Sequence, residues 1–214
     1  MIRELVQEEI RKNLTEAPLP DDWDRSAFGS RSSFASMLRY AKERALQLGR
    51  GSSRVAFEIP YKGRKTALKI AINQKGIAQN QEEARLLSDW YLKSIGIVIP
   101  MIDYDESNGN RITWIHTEFA QKITQKQLER YFGGVSMDSI ARYLDDQSGV
   151  RRLLSTPTLP QEIHDNEYFS ALQDLVVNYN IPAADLARKA NWGLYKGKPV
   201  IIDLGYTSET MSLY

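Results

Sequence analysis

The chain has 214 residues, 42% hydrophobic and 26% charged, enough to bury a sizeable core as one domain or two small lobes. A net charge of +1 offers no overall field for nucleic acid or an anionic membrane, so neither is expected as a partner. The lack of cysteine excludes disulfides and thiolate chemistry, and two histidines, His116 and His164, argue against a histidine-rich zinc site. No apolar run approaches the roughly 18 residues of a membrane span. The opening MIRELVQEEIRKNL mixes charge with Leu and Ile unlike a signal peptide, so a cytoplasmic protein is expected.

Ile2, Leu5, Val6, Ile10 and Leu14 recur near a helical period and predict an amphipathic helix over 2–14. It would serve as a lid or docking helix, packed on its own lobe or on a second chain. Residues 15–34, rich in Pro, Gly, Ser and Asp, read as a connector that Trp23 and Phe28 pin to a surface. Phe34, Met37, Leu38, Ala41, Ala45 and Leu48 fall at helical spacing, with Ser33 as N-cap. Leu48-Gly49-Arg50-Gly51-Ser52-Ser53-Arg54-Val55 follows. Its glycines would let a backbone approach phosphates closely, although such a pair is also an ordinary turn.

The runs Arg54–Pro60 and Lys65–Ile72 flank Tyr61-Lys62-Gly63-Arg64 and predict a hairpin. Within the second run Lys69 sits between Leu68 and Ile70. It either faces solvent or meets an anion, because an unpaired buried ammonium is costly. A helix over 77–93 would carry Glu83 on the face of Leu86, Leu87 and Trp90, with Glu82 turned toward solvent. Two strands, Ile97–Tyr104 and Arg111–Phe119, are joined by a loop containing Asn108-Gly109, a hairpin signal, and His116 reads as a strand residue.

Residues 124–153 read as helical pieces with Thr124 and Ser136 as N-caps and a break at Gly133-Gly134. Arg151-Arg152 is a solvated pair or a contact for an acidic partner. Phe169, Leu172, Leu175 and Val176 mark a helix over 162–179 that leads into Ile181-Pro182. Then come Asp185, Asn191, the turn Tyr195-Lys196-Gly197-Lys198, the apolar run Pro199–Ile202, and Asp203-Leu204-Gly205. An Asn amide and an Asp carboxylate at strand ends are the hard oxygen ligands that Mg²⁺ on a triphosphate requires.

In this order the motifs resemble those of the protein-kinase-like superfamily. Residues 48–55 resemble its glycine-rich hairpin, Thr66-Ala67-Leu68-Lys69-Ile70 resembles V-A-I-K, and Asp185…Asn191 with Asp203-Leu204-Gly205 resemble D-x-x-x-x-N and D-F-G. The resemblance spans about residues 46–207. It is closest to small, divergent bacterial or bacteriophage kinase-like proteins with Asn-Trp-Gly after the catalytic loop, here Asn191-Trp192-Gly193. For a phage protein the compartment would be the host cytoplasm.

The resemblance implies an α+β, protein-kinase-like two-lobed fold: a five-stranded antiparallel sheet with a helix, then a truncated helical C-lobe. Residues 1–34 would be a helix and connector, 35–120 the N-lobe and 121–214 a minimal C-lobe. It implies ATP and Mg²⁺ as cofactors. Gly49 and Gly51 would cradle phosphates, and Lys69 would hold them, oriented by Glu83 or alternatively Glu82. The backbone around Glu118 would bind adenine. Asn191 and Asp203 would bind Mg²⁺, and Asp185 would be the base for an acceptor hydroxyl.

The chain also departs from the family. Arg54 replaces the third glycine, Ala183-Ala184 replaces His-Arg, and Asp185 stands six residues before Asn191 instead of five. Nine residues follow Gly205 without Ala-Pro-Glu, so the large helical subdomain that binds protein substrates is not expected. Two functions therefore compete: an ATP-dependent phosphotransferase acting on a protein or a small hydroxyl-bearing acceptor, and a pseudokinase-type binding module that acts through an unknown protein partner.

Overall fold

The computed structural model describes residues 19–29, 32–105, 111–149 and 156–205. The readings for residues 2–14, the Asn108-Gly109 turn and Arg151-Arg152 lie outside these. The protein is α+β and divides into two units, one drawn from Met1–Asn80 and Met101–Glu118, the other from Gln81–Pro100 and Phe119–Tyr214.

In the first unit, helix α1 (Phe34–Arg44) precedes strands β1 (Leu46–Arg50), β2 (Arg54–Tyr61) and β3 (Arg64–Ala71), and helix α2 (Gln74–Ser88) begins here. Strands β4 (Met101–Tyr104) and β5 (Trp114–Glu118) complete an antiparallel sheet of order β1-β2-β3-β5-β4. Alternation along β2 and β3 sets the core. Val55, Phe57, Ile59, Leu68 and Ile70 face one side and pack with Met37 and Ala41 of α1. Trp23 and Phe28 also join this core, with ring centroids 5.4 Å apart, so the connector is pinned as its aromatic residues suggest. Ser33 caps α1 through a bond from the Ser36 amide.

The second unit holds helices α3 (Trp90–Ile95), α4 (Gln125–Tyr131), α5 (Met137–Gln147), α6 (Gln161–His164), α7 (Glu167–Val177) and α8 (Ala183–Ala187). It also holds a three-stranded sheet of β6 (Gln121–Lys122), β7 (Trp192–Tyr195) and β8 (Lys198–Ile201), in the order β6-β7-β8. Thr124 forms a capping box with Gln127, and Ser136 caps α5, as expected from sequence. Among the described residues no helix is long and apolar enough to cross a membrane.

Several element boundaries differ from the sequence reading, each for a physical reason. The helix expected over 34–48 stops at Arg44, because Leu46 and Leu48 enter β1, an edge strand exposed at every position. The helix expected over 77–93 breaks at Asp89, whose carboxylate caps α3 by accepting from the Leu92 amide. Trp90 therefore leaves the face of Glu83 and is 81% exposed. The helix over 162–179 breaks at Asn166, whose side chain caps α7.

The strand expected over Ile97–Tyr104 divides at Pro100, which lacks the N–H a ladder needs. Val98 bridges in parallel to Ile201 within the second unit, and β4 begins only at Met101. The Arg111–Phe119 strand is trimmed to Trp114–Glu118, while the Ile112 and Thr113 carbonyls accept bonds from Asn80 and Ala71.

Candidate functional site

Sheet register organises the first unit's candidate residues. Gly49 pairs with Ala56, Ala56 with Lys69, and Lys69 with Ile115. Directly opposed residues point to one face, so Gly49, Ala56 and Lys69 form a single row on the face away from the aromatic core. Two strand spacings, about 10 Å, separate the ends of that row. Its neighbour on the same face of β3 is Ala67. The row thus sets Gly and Ala beside a half-buried lysine.

The two glycines of the hairpin are not required by the fold. Neither has a positive φ. A Cβ at Gly49 would meet nothing within 4 Å, and one at Gly51 would meet only the Arg54 carbonyl oxygen at 3.8 Å. Gly63 and Gly197 differ: each follows a lysine of positive φ in a two-residue turn where glycine relieves backbone strain.

Glu118 is not brought to this row. It opposes Thr66, so its side chain belongs to the opposite face, where it forms a two-bond fork with Arg64 at 3.1 and 2.5 Å. Only its backbone remains a candidate for adenine. His116 lies on that opposite face too, fully buried, with Nε2 2.7 Å from the Thr66 hydroxyl. Thr66 in turn donates to the Ile59 carbonyl, which identifies His116 as a packed strand residue. Arg54 is buried as well, and its guanidinium donates to the Asn80 amide oxygen at 3.3 Å. The arginine that replaces the third glycine is therefore held within the fold.

In the second unit, Pro182 opens α8 and Asp185 sits within it, followed by a 3-10 turn, Lys189–Asn191. The Asn191 amide nitrogen donates to the Asp185 carbonyl at 2.9 Å, leaving the amide oxygen as its remaining polar atom. The hairpin then doubles back, with Trp192 opposite Ile201, and the Ile202 amide donates to the Asn191 carbonyl at 2.7 Å. This pairing delivers Asp203, which is exposed, beside Asn191. Trp192 anchors the arrangement: it is buried and its indole N–H donates to the Leu186 carbonyl at 2.7 Å.

Glu83 lies in the second unit and is completely buried, together with Leu86 and Leu87. Glu82, read as turned toward solvent, is partly buried and held by Arg85 one turn along the helix.

Asp185 is only 6% exposed, and its Oδ2 is buried without a hydrogen-bond partner. Its Oδ1 stands 3.3 Å from the Arg188 guanidinium. Burial pushes the carboxyl above the ordinary range, Arg188 opposes the rise, and the nearby Asp203 charge adds to it. Arg188 was not singled out from sequence, although its i,i+3 spacing from Asp185 was a signal for it. Among the described residues no group of three or more His, Cys, Asp or Glu side chains is placed to hold a metal ion. An Asn191 amide oxygen and an Asp203 carboxylate are two hard oxygen donors on residues whose backbones the Ile202–Asn191 pairing draws near each other. That fits Mg²⁺ carried in on phosphates, because Mg²⁺ commonly takes one or two protein ligands with the rest from substrate and water.

No protein-family model matches the chain, and no curated protein matches its sequence.

Proposed function

We propose that the protein is an ATP- and Mg²⁺-dependent phosphotransferase with a protein-kinase-like, two-lobed fold, acting on a hydroxyl-bearing acceptor. The observation that carries this reading is the tie of Asp185 to Asn191 and of Asn191 to Ile202, just after β8 and next to Asp203. It groups a buried carboxyl with an amide oxygen and an exposed carboxylate. The row Gly49–Ala56–Lys69 supports the reading independently, since a lysine over a floor of small residues suits a nucleotide's phosphates.

Bound Mg²⁺ would neutralise charge on the transferred phosphoryl group. Asn191 and Asp203 would hold it, and Lys69 would anchor the phosphates. Asp185 would orient the acceptor hydroxyl and take its proton. A raised pKa suits that role, because the ideal base titrates nearer the working pH. Most of the rate would come from positioning and from fixed charge.

The test is a thermal-shift titration with Mg²⁺-ATP on the wild type and on Asp203→Asn. A ligand that binds only the native state stabilises it by about 2.7 kcal/mol at a hundredfold excess over Kd. A Mg²⁺-dependent shift in the wild type and its loss in the variant are expected. No shift in either protein would overturn the proposal.

One observation favours the pseudokinase reading, a nucleotide-binding module that works through a partner protein: Arg188 occupies one oxygen of the proposed base. A full thermal shift without ADP formation under any acceptor tested would select it.

A further inference from the structure

The turn of the glycine hairpin is bound to the start of α2 by four polar contacts. The Asn73 side chain donates to the Ser52 carbonyl at 3.0 Å while its oxygen accepts from the Gly76 amide at 3.0 Å, capping the helix. The Ile72 amide donates to the Ser53 carbonyl at 2.8 Å. The Ser53 hydroxyl donates to the Gln79 side chain at 2.5 Å. The Arg54 guanidinium donates to Asn80, and Asn80 donates in turn to the Ile112 carbonyl at 3.1 Å. Asn80 is completely buried, and Ser53, Arg54 and Gln79 are each less than one-tenth exposed. Gly76 makes room for the approach: a Cβ there would collide with the Ser53 carbonyl oxygen and come within 3.0 Å of Ala71.

We propose that Asn80 is a positioning residue for the nucleotide site, an inference that rests on the phosphotransferase reading. With Asn73 and Gln79 it fixes the turn Gly51–Arg54 as a rigid ledge. The exposed Gly49 and Gly51 backbone then meets a phosphate already in place and does not close over it as a flap. The arginine at the third glycine position thereby gains a purpose. It gives up the freedom of glycine and supplies the strut that Asn80 grips. A preorganised ledge lowers the ordering cost of binding, so loss of the clamp weakens nucleotide affinity without touching the residues that carry out transfer.

The test uses the full chain with Asn80→Ala and the milder Ser53→Ala. Hydrogen exchange is followed in a peptide covering 49–54 and in one covering 57–70. Loss of a hydrogen bond from the clamp is expected to speed exchange at 49–54 by about fivefold or more, with 57–70 unchanged in Ser53→Ala. The apparent Kd for Mg²⁺-ATP should rise by a similar factor in Ser53→Ala, with kcat unchanged wherever turnover is measured. Unchanged exchange at 49–54 in both variants, or equal acceleration of both peptides in both variants, overturns the clamp. So does a Kd that stays the same while the turn loosens. If the wild type binds no Mg²⁺-ATP, the phosphotransferase reading fails on its own, and the exchange data still decide whether the turn is clamped.

Discussion

The glycine hairpin at the β1–β2 turn and the β7–β8 hairpin look alike in sequence, each a glycine-bearing turn between short strands, yet they use glycine for opposite ends. In β7, Gly193 is demanded by packing: a Cβ there would lie 2.6 Å from the Ala120 Cβ and 3.1 Å from the Gln121 carbonyl oxygen. Among the described residues a Cβ at Gly49 would meet nothing, and one at Gly51 would make only ordinary contact with the Arg54 carbonyl oxygen at 3.8 Å. A glycine whose absent side chain fills no need of its own fold is better explained by something that approaches from outside. Strand packing thus accounts for Gly193, whereas the glycines of the other hairpin would be accounted for by the nucleotide proposed above.

The sharpest way to break the comparison is at Gly76, which belongs structurally with Gly193. Gly76→Ala would force the start of α2 away from the Ser53 carbonyl, a backbone atom with little room to give. We expect a loss of about 3 kcal/mol, read by urea denaturation as a lower midpoint. A loss below about 1 kcal/mol would mean that the hairpin and helix adjust freely, and the close approach would lose its meaning. Gly193→Ala should cost about 2 kcal/mol, less because Ala120 directly precedes a two-residue strand, Gln121–Lys122, at the sheet edge.

A smaller effect tests the site that the second hairpin builds. Asp185 is buried with an unpartnered oxygen, so Asp185→Asn should stabilise the protein at neutral pH by about 1 kcal/mol while abolishing transfer. The sign follows from the raised folded-state pKa. The native state binds the proton more tightly than the unfolded chain, so this group favours folding below the ordinary carboxylate pKa. That contribution is lost as pH rises through the raised folded value. The gain from Asn should therefore grow as pH climbs above about 4 and then level off. A gain that is constant across that range would remove Asp185 from the titrating groups.

Much of this arrangement could be read in the sequence, and the failures have consistent causes. Helix starts at Ser33, Thr124 and Ser136 were legible because a cap is a local signal carried by one side chain. The turns at Lys62-Gly63 and Lys196-Gly197 were legible for the same reason. Leu48 misled because its spacing also suits the end of a helix, and propensity alone does not reveal an exposed edge strand. The helix break at Asp89 was missed because a capping Asp inside a helical pattern resembles a solvated charge. Strand β6 has two residues and no period to detect. In the candidate site, the order of Lys69, Asp185, Asn191 and Asp203 was visible. The buried roles of Arg54 and Asn80 were not, because their partners lie 26 and 32 residues away in the chain.

The smallest expected effect on stability is the most informative about function. Gly49→Ala and Gly51→Ala add a methyl where nothing in the fold resists it and where the backbone already lies outside the left-handed region. Removing a glycine also narrows the unfolded ensemble, so each substitution should leave stability unchanged or raise it by about 0.5 kcal/mol. Stability therefore cannot explain the glycines, and any loss must appear in binding. A methyl at either position would stand off an approaching phosphate and deprive it of close backbone contact, so the Mg²⁺-ATP thermal shift should shrink in both variants while the apo midpoint holds or rises. Should both variants keep the full shift, the open space beside the hairpin would be incidental. The case for a nucleotide would then rest on Lys69 and the Asp185–Asn191–Asp203 group alone.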